Sequence, residues 1–190
     1  RVTAPPSTLR EVFQHYSRSL LPWLTVRDNV ELAQRYQNIS RQQRESATAD
    51  ALDSVGLSGH VDKKPWQLSG GMQQRVAIAR ALAYQPKLLL MDEPFASVDA
   101  QTRAELEDLT LQLWSDRKMT IAFVTHDIDE SIYLGNRIVV LSRTPTVIRQ
   151  TIDVELPWPR DQLASKARPE FGRLREEVFA ALGRSVTPVG

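Results

Sequence analysis

The 190-residue chain has no cysteine, which excludes a disulfide framework, a thiolate metal site and a cysteine nucleophile, and suits a reducing, cytosolic setting. Nor does it hold an apolar stretch approaching the roughly 18 to 20 residues that cross a bilayer, or the basic-then-apolar opening of a secretion signal. Any link to a membrane must therefore run through a partner. Neither charge is in excess: 24 Lys and Arg face 23 Asp and Glu, a formal net charge of +1. Domains that bind nucleic acid usually carry a basic surplus, so no nucleic-acid partner is expected. There is no internal repeat and no low-complexity tract. What remains, 42% hydrophobic and 25% charged residues, is the composition of a globular chain with one sizeable core, or a core and a small subdomain. The first residue is Arg1, and Arg1 to Arg10 holds no clear start signal; the chain reads as one cut from something longer.

Glu11-Val12-Phe13-Gln14 has the pattern of a strand end, followed by a turn-like stretch from His15 to Pro22. Between Asp28 and Leu57, apolar and small residues recur at three- and four-residue intervals, which predicts two amphipathic helices. Ser40 and Gln43 have the spacing of a capping box for the second, and Gly56 is a stop. Gly70 to Tyr84, rich in Ala, Gln and Arg and closed by Pro86, predicts another helix. Beyond it, elements alternate: strand Leu88 to Met91, helix Gln101 to Arg117, strand Thr120 to Val124, helix Ile128 to Leu134 and a third strand Ile138 to Leu141. Fully apolar strands alternating with helices predict a parallel sheet flanked by helices. A strand pair, Val147 to Arg149 and Ile152 to Leu156, and a last helix from about Pro169 to Leu182 complete the chain.

Four places carry chemistry. The apolar strand Leu88 to Met91 runs into Asp92-Glu93, and because side chains alternate along a strand it aims two adjacent carboxylates in different directions; a solvated acidic turn would have the same sequence. Ser69-Gly70-Gly71 opens a helix without bulky side chains, so backbone N–H groups, a hydroxyl and the positive helix end can meet an anion; a plain Ser N-cap is the simpler reading of those three residues. His126 follows a strand at the edge where open α/β sheets bind ligands, with Asp127 as N-cap of the next helix. Asp99 is likewise suited to cap its helix. Gln14 alone would be a solvated turn residue.

Taken together, these motifs resemble those of ATP-binding-cassette (ABC) ATPases. Leu68 to Leu82 resembles the signature motif over fifteen positions, with Met72 a mild departure; Leu88 to Glu93 resembles Walker B, Pro94 to Asp99 the D-loop, His126 the H-loop histidine and Gln14 the Q-loop glutamine. The resemblance implies an α/β, P-loop NTPase-like fold: a mostly parallel sheet flanked by helices, with an α-helical subdomain and the N-terminal part of the fold missing. It divides 1–190 into a helical subdomain at about 15–85, a catalytic core at 86–145 and C-terminal strands and helix at 146–190. It further implies ATP and Mg²⁺ as ligands. Asp92 would hold the metal through water, Glu93 polarise the attacking water, His126 contact the γ-phosphate, and Gln14 reach both metal and phosphate. Ser69, Gly70, Gly71, Gln73 and Asp99 would serve a nucleotide held mainly by a second copy. One departure is large: no Gly-Lys pair occurs anywhere, so the phosphate-cradling Gly-x-x-x-x-Gly-Lys-Ser/Thr loop is absent, and this stretch alone is expected to bind ATP weakly.

Leu20 to Val30, Ile152 to Arg160 and Pro169 to Leu182 resemble importer ATPases of the nitrate, sulfonate and taurine group. That implies a homodimer of ATP-binding subunits on a polytopic membrane permease, indirectly served by a solute-binding protein, at the cytoplasmic face of the inner membrane. Leu21 and Trp23 fit either a permease-docking surface or core packing. Two other readings stay open: a soluble ABC ATPase, although no paired cassette or inserted arm is visible, and a degenerate, non-enzymatic interaction subunit.

Overall fold

The computed structural model describes residues 8–12 and 19–183, without the side chains of Ala33 and Tyr36. Gln14 lies outside the described residues. The chain divides into two compact units, Arg1–Val124 and Thr125–Gly190.

In the first unit, β1 (Leu9–Val12), β2 (Leu88–Asp92) and β3 (Thr120–Val124) form a parallel sheet in that order. Val12 lies opposite Met91, and Asp92 opposite Val124, so the three C-terminal strand ends align. A parallel pair needs a crossover, here supplied between β2 and β3 by the helix Ala100–Arg117. Leu89 and Met91 of β2 are buried. The fully apolar β3 is less buried than its composition predicts: Ala122 and Val124 are exposed, while Ile121 and Phe123 are half-buried. It is an edge strand, as β1 is, and the face that carries Ala122 and Val124 is exposed.

The remaining helices of this unit are α1 (Val26–Leu32), continued by a 3₁₀ turn over Ala33–Tyr36, α2 (Arg41–Ser54) and α3 (Gly70–Leu82); the crossover helix Ala100–Arg117 is α4. Ser40 and Gln43 make the capping box read from their spacing, with Gln43 N–H on Ser40 Oγ at 3.2 Å and Ser40 N–H on Gln43 Oε1 at 2.7 Å. Gly56 ends this helical segment at φ +72°, a conformation that favours glycine. Alanines let α3 run close to α1, α2, α4 and β1, so Val76, Ile78, Ala79 and Leu82 are buried with Val26, Val30, Leu52 and Val55. Full burial of each large aliphatic side chain stabilises the unit by about 1.5–3 kcal/mol.

The second unit holds α5 (Ile128–Leu134), β4 (Arg137–Leu141), β5 (Ile148–Asp153) and α6 (Pro169–Ala181). Here the structure corrects two expectations. β4 is not a third parallel strand; it pairs antiparallel with β5, Ile138 opposite Ile152. The separate strands Val147 to Arg149 and Ile152 to Leu156 are not a pair, because β5 runs unbroken through Gln150 and Thr151, which offer none of the Gly, Pro or Asn chemistry of a tight turn. Ile138, Val140, Ile152 and Val154 point into the core of this unit together with Phe171 and Val178 of α6.

Candidate functional site

The C-terminal edge of the parallel sheet carries the paired carboxylates. Met91 is buried, Asp92 exposed and Glu93 half-buried, the alternation expected of a strand end. The ladder continues one residue beyond β2, with Glu93 N–H donating to Val124 O at 2.9 Å. Glu93 itself sits at φ +45°. A non-glycine residue in the left-handed region costs on the order of 1–3 kcal/mol and is held there by its surroundings. Those surroundings are the turn that follows: Phe95 is buried and packs on Phe123 with ring centroids 5.4 Å apart. Among the described residues, no group of three or more His, Cys, Asp or Glu could hold a metal by itself. An exposed carboxylate such as Asp92 fits a hard cation that keeps its waters and shares its ligands with phosphates, as Mg²⁺ does.

Ser69 is the N-cap of α3, its Oγ accepting from Met72 N–H at 3.3 Å. The first N–H groups of a helix lack intrahelical partners and lie at its positive end, and Ser69 and Gly70 are exposed there. Gln73 points the other way. Its amide donates to Pro65 O (3.1 Å) and Leu68 O (3.3 Å), tying the preceding loop to the helix.

A contact that the sequence did not disclose joins this helix start to the first turn of α4. A methyl group added at Gly71 would run into Thr102 Cγ2 in the first turn of α4. Thr102 in turn donates to Asp99, through its N–H at 3.0 Å and its hydroxyl at 2.7 Å. Those bonds, the backbone one first, hold the Asp99 carboxyl below the ordinary carboxylate range. Asp99 is therefore the N-cap of α4, and α3 and α4 begin side by side with Ser69, Gly70 and Asp99 all exposed. The spacing Asp99-x-x-Thr102 was the available signal for the cap; nothing in the sequence pointed from Thr102 to Gly71.

His126 is the second residue of the second unit and is exposed. The next residue, Asp127, caps α5 as read, accepting from Glu130 N–H at 3.1 Å, while its own N–H donates to Thr125 Oγ1 at 3.0 Å. His126 thus stands immediately before a short helix that the next residue caps.

Known proteins resemble this chain in sequence and fold. Residues 2–96, half of the chain, match the family model described as ABC transporter. A protein of Brucella abortus biovar 1 named for ATP binding is 45% identical over 181 residues, 95% of this chain and 68% of its own. The chain belongs to the ABC transporter family. Within that family, the nitrate import ATP-binding protein NrtD of Synechocystis is 41% identical over 187 residues, 96% of this chain and 70% of its own. Among solved structures, a dimeric ATP-binding cassette, MJ0796, in a post-hydrolysis state with ADP and Pi superimposes with a TM-score of 0.61 at 32% identity, over 77% of this chain and 63% of that one. The chain spans 53% to 63% of three of the solved proteins that it matches. Among the described residues, no helix is long and apolar enough to cross a membrane.

Proposed function

We propose that this chain belongs to an ATP-hydrolysing subunit that energises an importer for nitrate, sulfonate, taurine or a related small solute. The observation that carries it is the Asp92-Glu93 pair at the C-terminal edge of the parallel sheet, with Glu93 held in a left-handed conformation by its N–H bond to Val124 and the anchored Phe95. In this reading Asp92 holds Mg²⁺ through water. The ion neutralises phosphate charge when bound, and catalysis is otherwise positioning and electrostatics. Glu93 orients and polarises the attacking water, His126 and Gln14 approach the γ-phosphate, and Ser69, Gly70, Gly71, Gln73 and Asp99 serve a nucleotide bound by a second copy, Gln73 by stabilising the signature helix. Residues 15–85, 86–145 and 146–190 then act as helical subdomain, catalytic core and C-terminal region. A permease at the cytoplasmic face of the membrane, fed by a solute-binding protein, is the partner that this arrangement requires. The resemblance to NrtD supports a small anion as cargo.

The deciding experiment is Glu93→Gln in the full-length protein. The amide keeps the shape and loses the charge, so phosphate release should fall at least a hundredfold while nucleotide still binds; unchanged turnover rejects Glu93 as the polarising base. A separate measurement addresses residues 1–190 alone. Without a Gly-Lys phosphate cradle, Mg-ATP titration should show no saturation at micromolar concentrations, and tight saturable binding would overturn that expectation.

A further inference from the structure

α5 has seven residues, too few to be stable by propensity alone, yet it begins directly after His126-Asp127. Its placement must come from tertiary ties, and two arginines from later in the chain supply them. Nη1 of Arg160 donates to Ile132 O (3.2 Å), Tyr133 O (2.6 Å) and Gly135 O (2.9 Å), at the C-terminal end of α5. These are carbonyls that a helix end leaves unpaired, at its negative pole. Gly135 closes the helix tightly: its N–H donates to Ser131 O at 3.0 Å, and a methyl group there would press on the same oxygen at 2.7 Å. At the other end, Arg175 of α6 forms a two-pronged pair with Asp129 in the first turn, Nε to Oδ1 at 2.6 Å and Nη2 to Oδ2 at 2.7 Å.

Arg160 is buried, with Trp158 stacked on its guanidinium at 4.2 Å. Burial pushes its pKa down to about 10, so the group is charged at neutral pH but desolvated. Burying a cation costs several kcal/mol before its bonds offset it. An aliphatic side chain in its place would avoid that cost but leave the three carbonyls unpaired. What the three carbonyl bonds add is a fixed position along and around the helix axis.

We propose that Arg160 is a positioning residue for His126, acting through α5, with Arg175 as the second clamp. The proposal rests on His126 serving the hydrolysis reading above. Displacement of a catalytic group by about 1 Å can cost on the order of a hundredfold in rate, and in this arrangement the segment Pro157-Trp158-Pro159-Arg160, outside the hydrolytic motifs, sets the histidine's position.

The test is a double-mutant cycle on the full-length protein, with kcat and KM for Mg-ATP and amide exchange of α5 as readouts. Arg160→Met should lower kcat at least tenfold with KM within twofold, and speed exchange in α5. Arg160→Lys, whose ammonium has three donors for the three carbonyls, should recover part of the rate. Arg175→Gln removes only a half-exposed pair and should fold regardless, giving a smaller loss of kcat with the same pattern. In a His126→Asn background, adding Arg160→Met or Arg175→Gln should cost less than twofold more, because the group they position is gone. A full tenfold loss persisting there overturns the proposal, as does an unchanged kcat in both single arginine variants. An unchanged kcat in His126→Asn alone rejects the histidine's role, and the positioning role with it.

Discussion

Gly71 is set by what stands opposite it. Alanine at that position would by helix propensity stabilise α3 by up to about 1 kcal/mol, but the added methyl collides with Thr102 Cγ2, and overpacking of this kind costs about 1–3 kcal/mol. Gly71→Ala is therefore expected to destabilise the protein and to lower ATP turnover in the full-length subunit. Thr102→Ser removes the offending methyl and keeps the hydroxyl that bonds Asp99. The double variant should recover most of the stability in denaturant melts, a non-additivity of the sort contacting residues show; equal losses in single and double variants would place the cost elsewhere. The same residue holds the Asp99 cap, through its backbone N–H first and its hydroxyl second. With the carboxyl's pKa depressed in the folded state, its stabilisation is present above the ordinary carboxylate value of about 3.9 and is lost as pH falls through the folded pKa.

At the scale of elements, local signals were legible and long-range ones were not. The capping box at Ser40, the caps at Ser69, Asp99 and Asp127 and the stop at Gly56 follow from residues within four positions of one another. The pairing of β4 with β5 did not, because the register of Arg137 with Asp153 depends on residues 16 apart and on which face is buried. Asn29 illustrates the same limit. It reads as one of four polar positions in the seven-residue α1, yet it is buried, accepts from Leu21 N–H at 2.8 Å and donates to the carbonyls of Leu21, Leu24 and Thr25. These bonds fix the loop from which Trp23 projects with 67% of its surface exposed. That settles the local question for Trp23, which is not a core residue within this chain. Leu21, half-buried, is intermediate. The motif residues were legible because their chemistry is local: two carboxylates after a strand, two glycines after a serine. What positions them, Thr102 against Gly71 and Arg160 on the carbonyls of α5, spans 25 residues or more of chain and leaves no periodic trace.

For the whole molecule, the proposed division of each ATP site between two copies makes a prediction that a single-chain site would reverse. If Glu93 of one subunit works with Ser69 of the other, the arrangement of two lesions in a mixed dimer decides the outcome. Placing Ser69→Arg in one full-length subunit and Glu93→Gln in its partner damages one shared site twice and leaves the second intact. Placing both substitutions in one subunit against a wild-type partner damages both sites once. Single-turnover phosphate release from tagged, co-purified heterodimers should therefore be higher when the lesions are on different subunits. Were each site built within one chain, the doubly substituted subunit would leave its partner's site whole, and the order would invert. Equal release from the two arrangements would separate the Ser69-Gly70-Gly71 helix start from hydrolysis altogether.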